Sequence, residues 1–180
     1  MRLLALSGSL RKASYNKAAI DTLQQLALDQ VHIAIGNISE LPLFNPDREE
    51  EKFPVLHILK QQLKSSSGLI ISSPEYAHGI SGPLKNALDW LVSGFEFPDM
   101  PIMLINTSPR AHHAQDSLRE VLTTMSGNII EKASVSIPLL GSDLDSSGIL
   151  GNKEISASLQ EGISIFCKEI EKIKYENNSK

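Results

Sequence analysis

Apolar, often β-branched runs alternate along this chain with longer segments whose apolar residues recur every three or four positions. That alternation predicts parallel strands joined by amphipathic helices, an α/β architecture. Strands are predicted at Leu3–Leu6, Val31–Ile35, Gly68–Ser72, Pro101–Asn106 and Asn128–Ile137. Helices are predicted from about Asn16 to Leu28, Phe53 to Ser65, Gly82 to Val92, Ala114 to Met125 and Lys153 to Lys174. The run Gly68–Ser72 is apolar enough to be central, whereas Glu131 and Lys132 place the fifth strand near an edge. Two prolines make Glu40–Pro46 irregular, Gly141–Gly151 reads as a Gly/Ser-rich loop, and the tail Tyr175–Lys180 reads as frayed. No repeat or long linker divides the chain, so residues 1–180 are expected to form one doubly wound domain.

Composition narrows the partners. With 180 residues and 41% apolar content the chain can bury a substantial core. A net charge of −4, with 21% charged residues of both signs, gives no basic stripe for nucleic acid. No apolar run approaches the ~20 residues of a membrane span, and the start is too short for a signal-peptide core. One cysteine, Cys167, permits no disulfide within the chain and fits a reducing cytoplasm. At helical spacing from Ile163 and Ile170, it is expected to be buried and inert. Trp90 is expected in a core or a subunit contact.

Candidate chemistry begins after the first strand. Ser7-Gly8-Ser9-Leu10-Arg11-Lys12-Ala13-Ser14 breaks the apolar run and passes directly into a helix. Backbone N–H groups at a helix start lack partners and carry partial positive charge, so they attract an anion. Serine hydroxyls add donors, and Arg11 can add a planar, charge-assisted contact. The bend is read as a phosphate anchor. Ser14 and Asn16 also read as helix caps, a role compatible with a phosphate contact because both use the same exposed helix start.

A second constellation follows the third strand: Ser73-Pro74-Glu75-Tyr76-Ala77-His78-Gly79-Ile80-Ser81-Gly82, leading into Pro83-Leu84-Lys85-Asn86-Ala87-Leu88-Asp89-Trp90. Its glycines and prolines give a tight loop that can approach a flat ligand, and Pro83 suits a helix's first turn. In doubly wound sheets ligands bind beyond the carboxyl ends of the strands. The loops after the first, third and fourth strands are therefore expected to converge.

Taken together, Gly8-Ser9-Leu10-Arg11 with Ser14 and Asn16, and Ser73-Pro74-Glu75-Tyr76 through Asp89-Trp90, resemble the NAD(P)H-dependent FMN reductase family of flavodoxin-like proteins. That family includes bacterial quinone, chromate and azo-dye reductases. The resemblance implies a five-stranded parallel sheet of order 2-1-3-4-5 with helices on both faces. It implies FMN as cofactor, NADPH or NADH as co-substrate, and a homodimer or homotetramer. Ser9, Arg11, Ser14, Tyr15 and Asn16 fall at the phosphate loop; Pro74, Glu75 and Tyr76 run along the flavin ring, with Ala77, His78 and Gly79 in the same loop. Thr107 and Ser108 complete the cofactor-binding set. Two departures stand out: Ala77 replaces the family's usual asparagine, and Thr107–His113 replaces a glycine-rich stretch. The implied activity passes hydride from NAD(P)H, and then electrons to a quinone, flavin, azo compound or metal oxyanion, by a ping-pong course. No catalytic side chain is needed, because the flavin carries the chemistry.

Other readings compete. Glu75 reads as a residue that holds its loop rather than one that reacts. His112 and His113 invite a metal, but known zinc spacings are absent and neighbours on a helix point apart. A non-enzymatic flavodoxin-like electron carrier shares the fold, though flavodoxins are typically more acidic and lack the arginine. The first turn has neither Gly-x-Gly-x-x-Gly nor Gly-Lys-Ser/Thr, against a dinucleotide-fold dehydrogenase or a phosphotransferase.

Overall fold

The computed structural model describes residues 1–110 and 112–178. Its first half runs β1 (Arg2–Ser7), α1 (Tyr15–Leu26), β2 (His32–Ile35), α2 (Pro54–Lys64), β3 (Leu69–Ser72), β4 (Glu75–Tyr76), β5 (Gly79–Ile80) and α3 (Gly82–Leu91). The second half runs β6 (Pro101–Asn106), α4 (His112–Thr124), β7 (Asn128–Ile129), β8 (Val135–Ser136), α5 (Ser146–Gly151) and α6 (Lys153–Asn178). The main sheet is parallel in the order β2-β1-β3-β6, and both β7 and β8 pair with the outer side of β6. This is the expected 2-1-3-4-5 order of an α/β fold, with two short strands sharing the fifth position.

The continuous apolar runs of β1, β3 and β6 are buried on both faces, and the two-residue period of a strand divides them. Leu3, Ala5, Ile70, Met103 and Ile105 join one core with residues of α1 and α6. Leu4, Leu6, Leu69, Ile71, Ile102 and Leu104 join a second core with residues of α2, α3 and α4. Helices therefore cover both faces and leave the strand ends open.

Three elements depart from expectation. The fifth strand is broken by a short 3-10 turn at Glu131–Ala133. Glu131 turns outward to Arg119 (2.8 Å) and Lys132 to Glu169 (2.7 Å), while Ala133 is buried. The supposed Gly141–Gly151 loop contains α5, capped by the Asp145 carboxylate accepting from the Gly148 N–H (2.8 Å). The last helix runs to Asn178, past the tail expected to fray from Tyr175. Lysine and glutamate favour helix, and Lys172 lies 3.9 Å from Glu176 one turn on. Residues 179 and 180 lie outside the described residues. Among the described residues no helix is long and apolar enough to cross a membrane.

Cys167 is buried, and desolvation, with Glu171 nearby, pushes its thiol pKa up. Trp90 organises the irregular segment before α2. Its indole N–H donates to the Pro42 carbonyl (2.8 Å), and Phe44 and Phe53 meet its ring edge-on at 5.1 and 5.4 Å. Asn86 reinforces the join, accepting from the Phe44 N–H (2.7 Å) and donating to Pro42 (2.9 Å). Trp90→Ala is expected to cost about 3–5 kcal/mol in urea unfolding followed by circular dichroism. Trp90→Phe is expected to cost about 1 kcal/mol, because Pro42 keeps its Asn86 donor.

Candidate active site

Gly8 ends β1 against β3: its N–H donates to the Ser72 carbonyl (2.8 Å), and the Ser81 hydroxyl donates to its carbonyl (2.6 Å). A side chain there would put Cβ 2.6 Å from Ser73 Oγ, so glycine is required for this approach. The chain then bends. Ser9 Oγ accepts from the Arg11 N–H (3.4 Å), and Ser14 caps α1 by accepting from the Lys17 N–H (3.3 Å). The N–H groups of Tyr15 and Asn16, in the first turn of α1, have no carbonyl within the helix to reach. Arg11 and Lys12 are exposed beside them and form no salt bridge among the described residues.

Asn16 ties the bend to the other two strands. Its buried Oδ1 accepts from the Ser72 hydroxyl (2.9 Å) at the end of β3 and from the Thr107 hydroxyl (3.2 Å) just beyond β6. The Ser72 hydroxyl also lies 3.2 Å from the Ile105 carbonyl. One amide thus fixes the start of α1 against the ends of two central strands.

The loop after β3 is a β4–β5 hairpin pairing Glu75 with Ile80 and Tyr76 with Gly79. Its two turn residues, Ala77 and His78, have φ of 49° and 60°. A two-residue hairpin turn of this kind demands positive φ, which glycine and asparagine adopt readily and alanine does not. The Glu75 carboxylate leaves the hairpin and accepts from the Ala114 N–H (2.8 Å) in the first turn of α4. Glu75 therefore holds its loop, as its sequence context indicated.

His78 stacks on His113 with ring centroids 4.4 Å apart, and His112 lies 4.0 Å from His113. This corrects the expectation that the adjacent histidines point apart. His112 is the first residue of α4, and its Nδ1 lies 3.1 Å from the Arg110 carbonyl, which turns the ring back toward its neighbour. Ala111 lies outside the described residues.

A cleft of about 190 Å³ lies where the three loops meet. Ser9, Arg11, Ser14, Tyr15 and Asn16 line it from the bend, Pro74, Glu75 and Tyr76 from the hairpin, and Thr107 and Ser108 from beyond β6. Ala77, His78 and Gly79 are at the hairpin tip and are not among its lining residues. Ala13 and Leu140 line it without having been anticipated. Leu140 follows β8, and the carboxyl-end rule applied to the fifth strand position would have pointed to it.

The class defined by this fold is an α/β protein with a parallel sheet, in which a cleft opens at the carboxyl ends of the strands beside the bend that follows the first. Residues 1–139 match the family described as NADPH-dependent FMN reductase. The chain belongs to that family of flavin-dependent oxidoreductases. A quinone reductase of Escherichia coli is 33% identical over 143 residues, covering 73% of this chain and 74% of that protein. An NAD(P)H-dependent FMN reductase of Pseudomonas aeruginosa is 29% identical over 167 residues, covering 89% and 90%. The solved structure of FerB, a flavoenzyme NAD(P)H:(acceptor) oxidoreductase of Paracoccus denitrificans, superimposes with a TM-score of 0.77 at 24% identity, covering 95% of this chain and 97% of that one.

Asn16→Ala leaves the Thr107 hydroxyl without its acceptor and the Ser72 hydroxyl with the Ile105 carbonyl alone, and is expected to cost about 1–3 kcal/mol in denaturant unfolding. Ala77→Gly relieves the turn and is expected to raise stability by about 1 kcal/mol, read in the same way.

Proposed function

We propose that FMN is held in this cleft, its phosphate at the bend of Ser9, Arg11, Ser14, Tyr15 and Asn16, and its ring system beside Pro74, Glu75 and Tyr76. Thr107 and Ser108 form the facing wall, and Ala77, His78 and Gly79 shape the hairpin that borders the ring. The donor set fits the group: a guanidinium, two serines and a helix start for the phosphate, and a hairpin rich in backbone for a flat polar ring. When bound, FMN supplies two-electron chemistry, taking hydride from NAD(P)H and yielding electrons to a second substrate in turn, a ping-pong course.

The chain's own residues bind and orient. Asn16 locks the bend to the strand ends, so the phosphate donors need little rearrangement to receive a dianion. Glu75 pins the hairpin to α4 and keeps the ring-side wall in place. Tyr76 is 49% exposed at the edge of the cleft, leaving an aromatic face where a second planar molecule can lie. A small quinone is the acceptor class we favour, because relatives such as the Escherichia coli protein carry that activity in their names. The lone buried cysteine suits a reducing cytoplasm, and the reading includes assembly as a homodimer or homotetramer.

The observation that carries this reading is the convergence of the bend, the hairpin and the Thr107 loop on one cleft. Loss of one charge-assisted contact costs about 1.5–3 kcal/mol, so Arg11→Ala is expected to weaken FMN binding by roughly 10- to 150-fold. Titration of the flavin-free protein, followed by flavin fluorescence, measures this, with the thermal midpoint of the flavin-free variant unchanged. Unaltered FMN affinity in that variant would overturn the anchor assignment.

A further inference from the structure

A second cavity, of about 550 Å³, lies beside the bend. It shares Arg11, Ala13, Ser14, Tyr15 and Leu140 with the cleft, and adds walls from Lys12, Ala18, Asp21, Asp143 and Leu144. The shared residues include Arg11, Ser14 and Tyr15, three of the five assigned to the phosphate, so a phosphate at the bend stands at the junction of two chambers. The phosphate monoester of FMN carries a substituent on one side only. A pyrophosphate carrying groups on both sides is the ligand shape that would occupy the two together.

We infer that the outer chamber takes the adenylate half of FAD, so that the protein loads FAD as well as FMN; this rests on the flavin reading of the cleft. The chamber's volume lies within the ~300–1,000 Å³ usual for small-molecule sites. Its walls combine the functions an adenylate needs. Ala18, Leu144 and the Tyr15 ring give apolar surface for a base. Arg11 and Lys12, outside any salt bridge among the described residues, face the place of a second phosphate.

The carboxylates in the chamber differ in what they can offer. Asp145 is committed to the Gly148 N–H and the Ser147 hydroxyl, and Asp21 is paired with Lys17. Asp143 enters no salt bridge among the described residues, and its carboxylate is the acceptor for a ribose hydroxyl. Its own backbone is held in place, since its N–H donates to the Tyr15 hydroxyl (3.2 Å). The wall that would meet the adenylate is thereby attached to the helix that starts at the phosphate bend.

The test titrates flavin-free protein with FMN and with FAD by fluorescence and calorimetry. FAD is expected to bind within roughly tenfold of FMN. Ala18→Trp fills the chamber from α1, and Asp21→Trp fills it from nearly one turn further along the same helix should the first variant fold poorly. Either is expected to weaken FAD by about tenfold or more while changing FMN by less than about twofold. FMN binding without measurable FAD binding would overturn the inference and leave the cofactor site standing. Equal weakening of both flavins by the tryptophans would also overturn it. So would unchanged FAD affinity with a raised KM for NADPH, which would assign the chamber to the adenylate of the dinucleotide. Failure of both flavins to bind the unaltered protein would overturn this inference and the flavin reading together.

Discussion

The site depends on one buried acceptor. Asn16 Oδ1 takes hydrogen bonds from Ser72 and Thr107, which stand at or just beyond the ends of β3 and β6. Each hydroxyl would be costly to bury without a partner, and the shared acceptor satisfies both. The cost of misplacing α1 is therefore felt at two strands at once. That constraint holds the start of α1 rigidly against the sheet. Gly8 cooperates from the other side, since only its missing side chain lets β1 close on Ser73 and Ser81.

The hairpin obeys a different logic. Ala77 and His78 sit in the left-handed region, where a non-glycine residue costs about 1–2 kcal/mol. Two-residue pairing in β4 and β5 offers little to offset this. The Glu75 contact to α4 and the His78–His113 stack supply external support. Strain held by tertiary contacts beside a candidate ligand site is the pattern expected where a loop must be fixed before its ligand arrives.

Legibility in the sequence followed element length and burial. The β1, β3 and β6 runs were plain because strands buried on both faces need unbroken apolar sequence. The bend and the hairpin loop were visible because glycine, serine, proline and arginine have few reasons to cluster at a strand end. Shorter elements escaped. β4, β5, β7 and β8 have two residues each, too few to show a period. The break at Glu131–Ala133 is set by partners on α4 and α6 that lie far away in sequence. The histidine stack depends on where the hairpin meets α4, and no local pattern encodes that meeting. Leu140 entered the cleft by topology, without a motif around it.

This division has a consequence for how such an enzyme can vary. The bend after β1 is bound into the sheet through Asn16, so change at that one residue disturbs the fold and the proposed phosphate site together. The hairpin is held from outside the main sheet, chiefly by the Glu75 carboxylate on the first turn of α4. Substitutions at Ala77, His78, His112 or His113 leave the Asn16 node intact. Ala77 at the hairpin turn and the exposed Pro109, Arg110, His112 and His113 fall in this less constrained shell, whereas Thr107 belongs to the Asn16 node. A scaffold whose reactive group is carried in rather than built from side chains can vary such loops while keeping its chemistry.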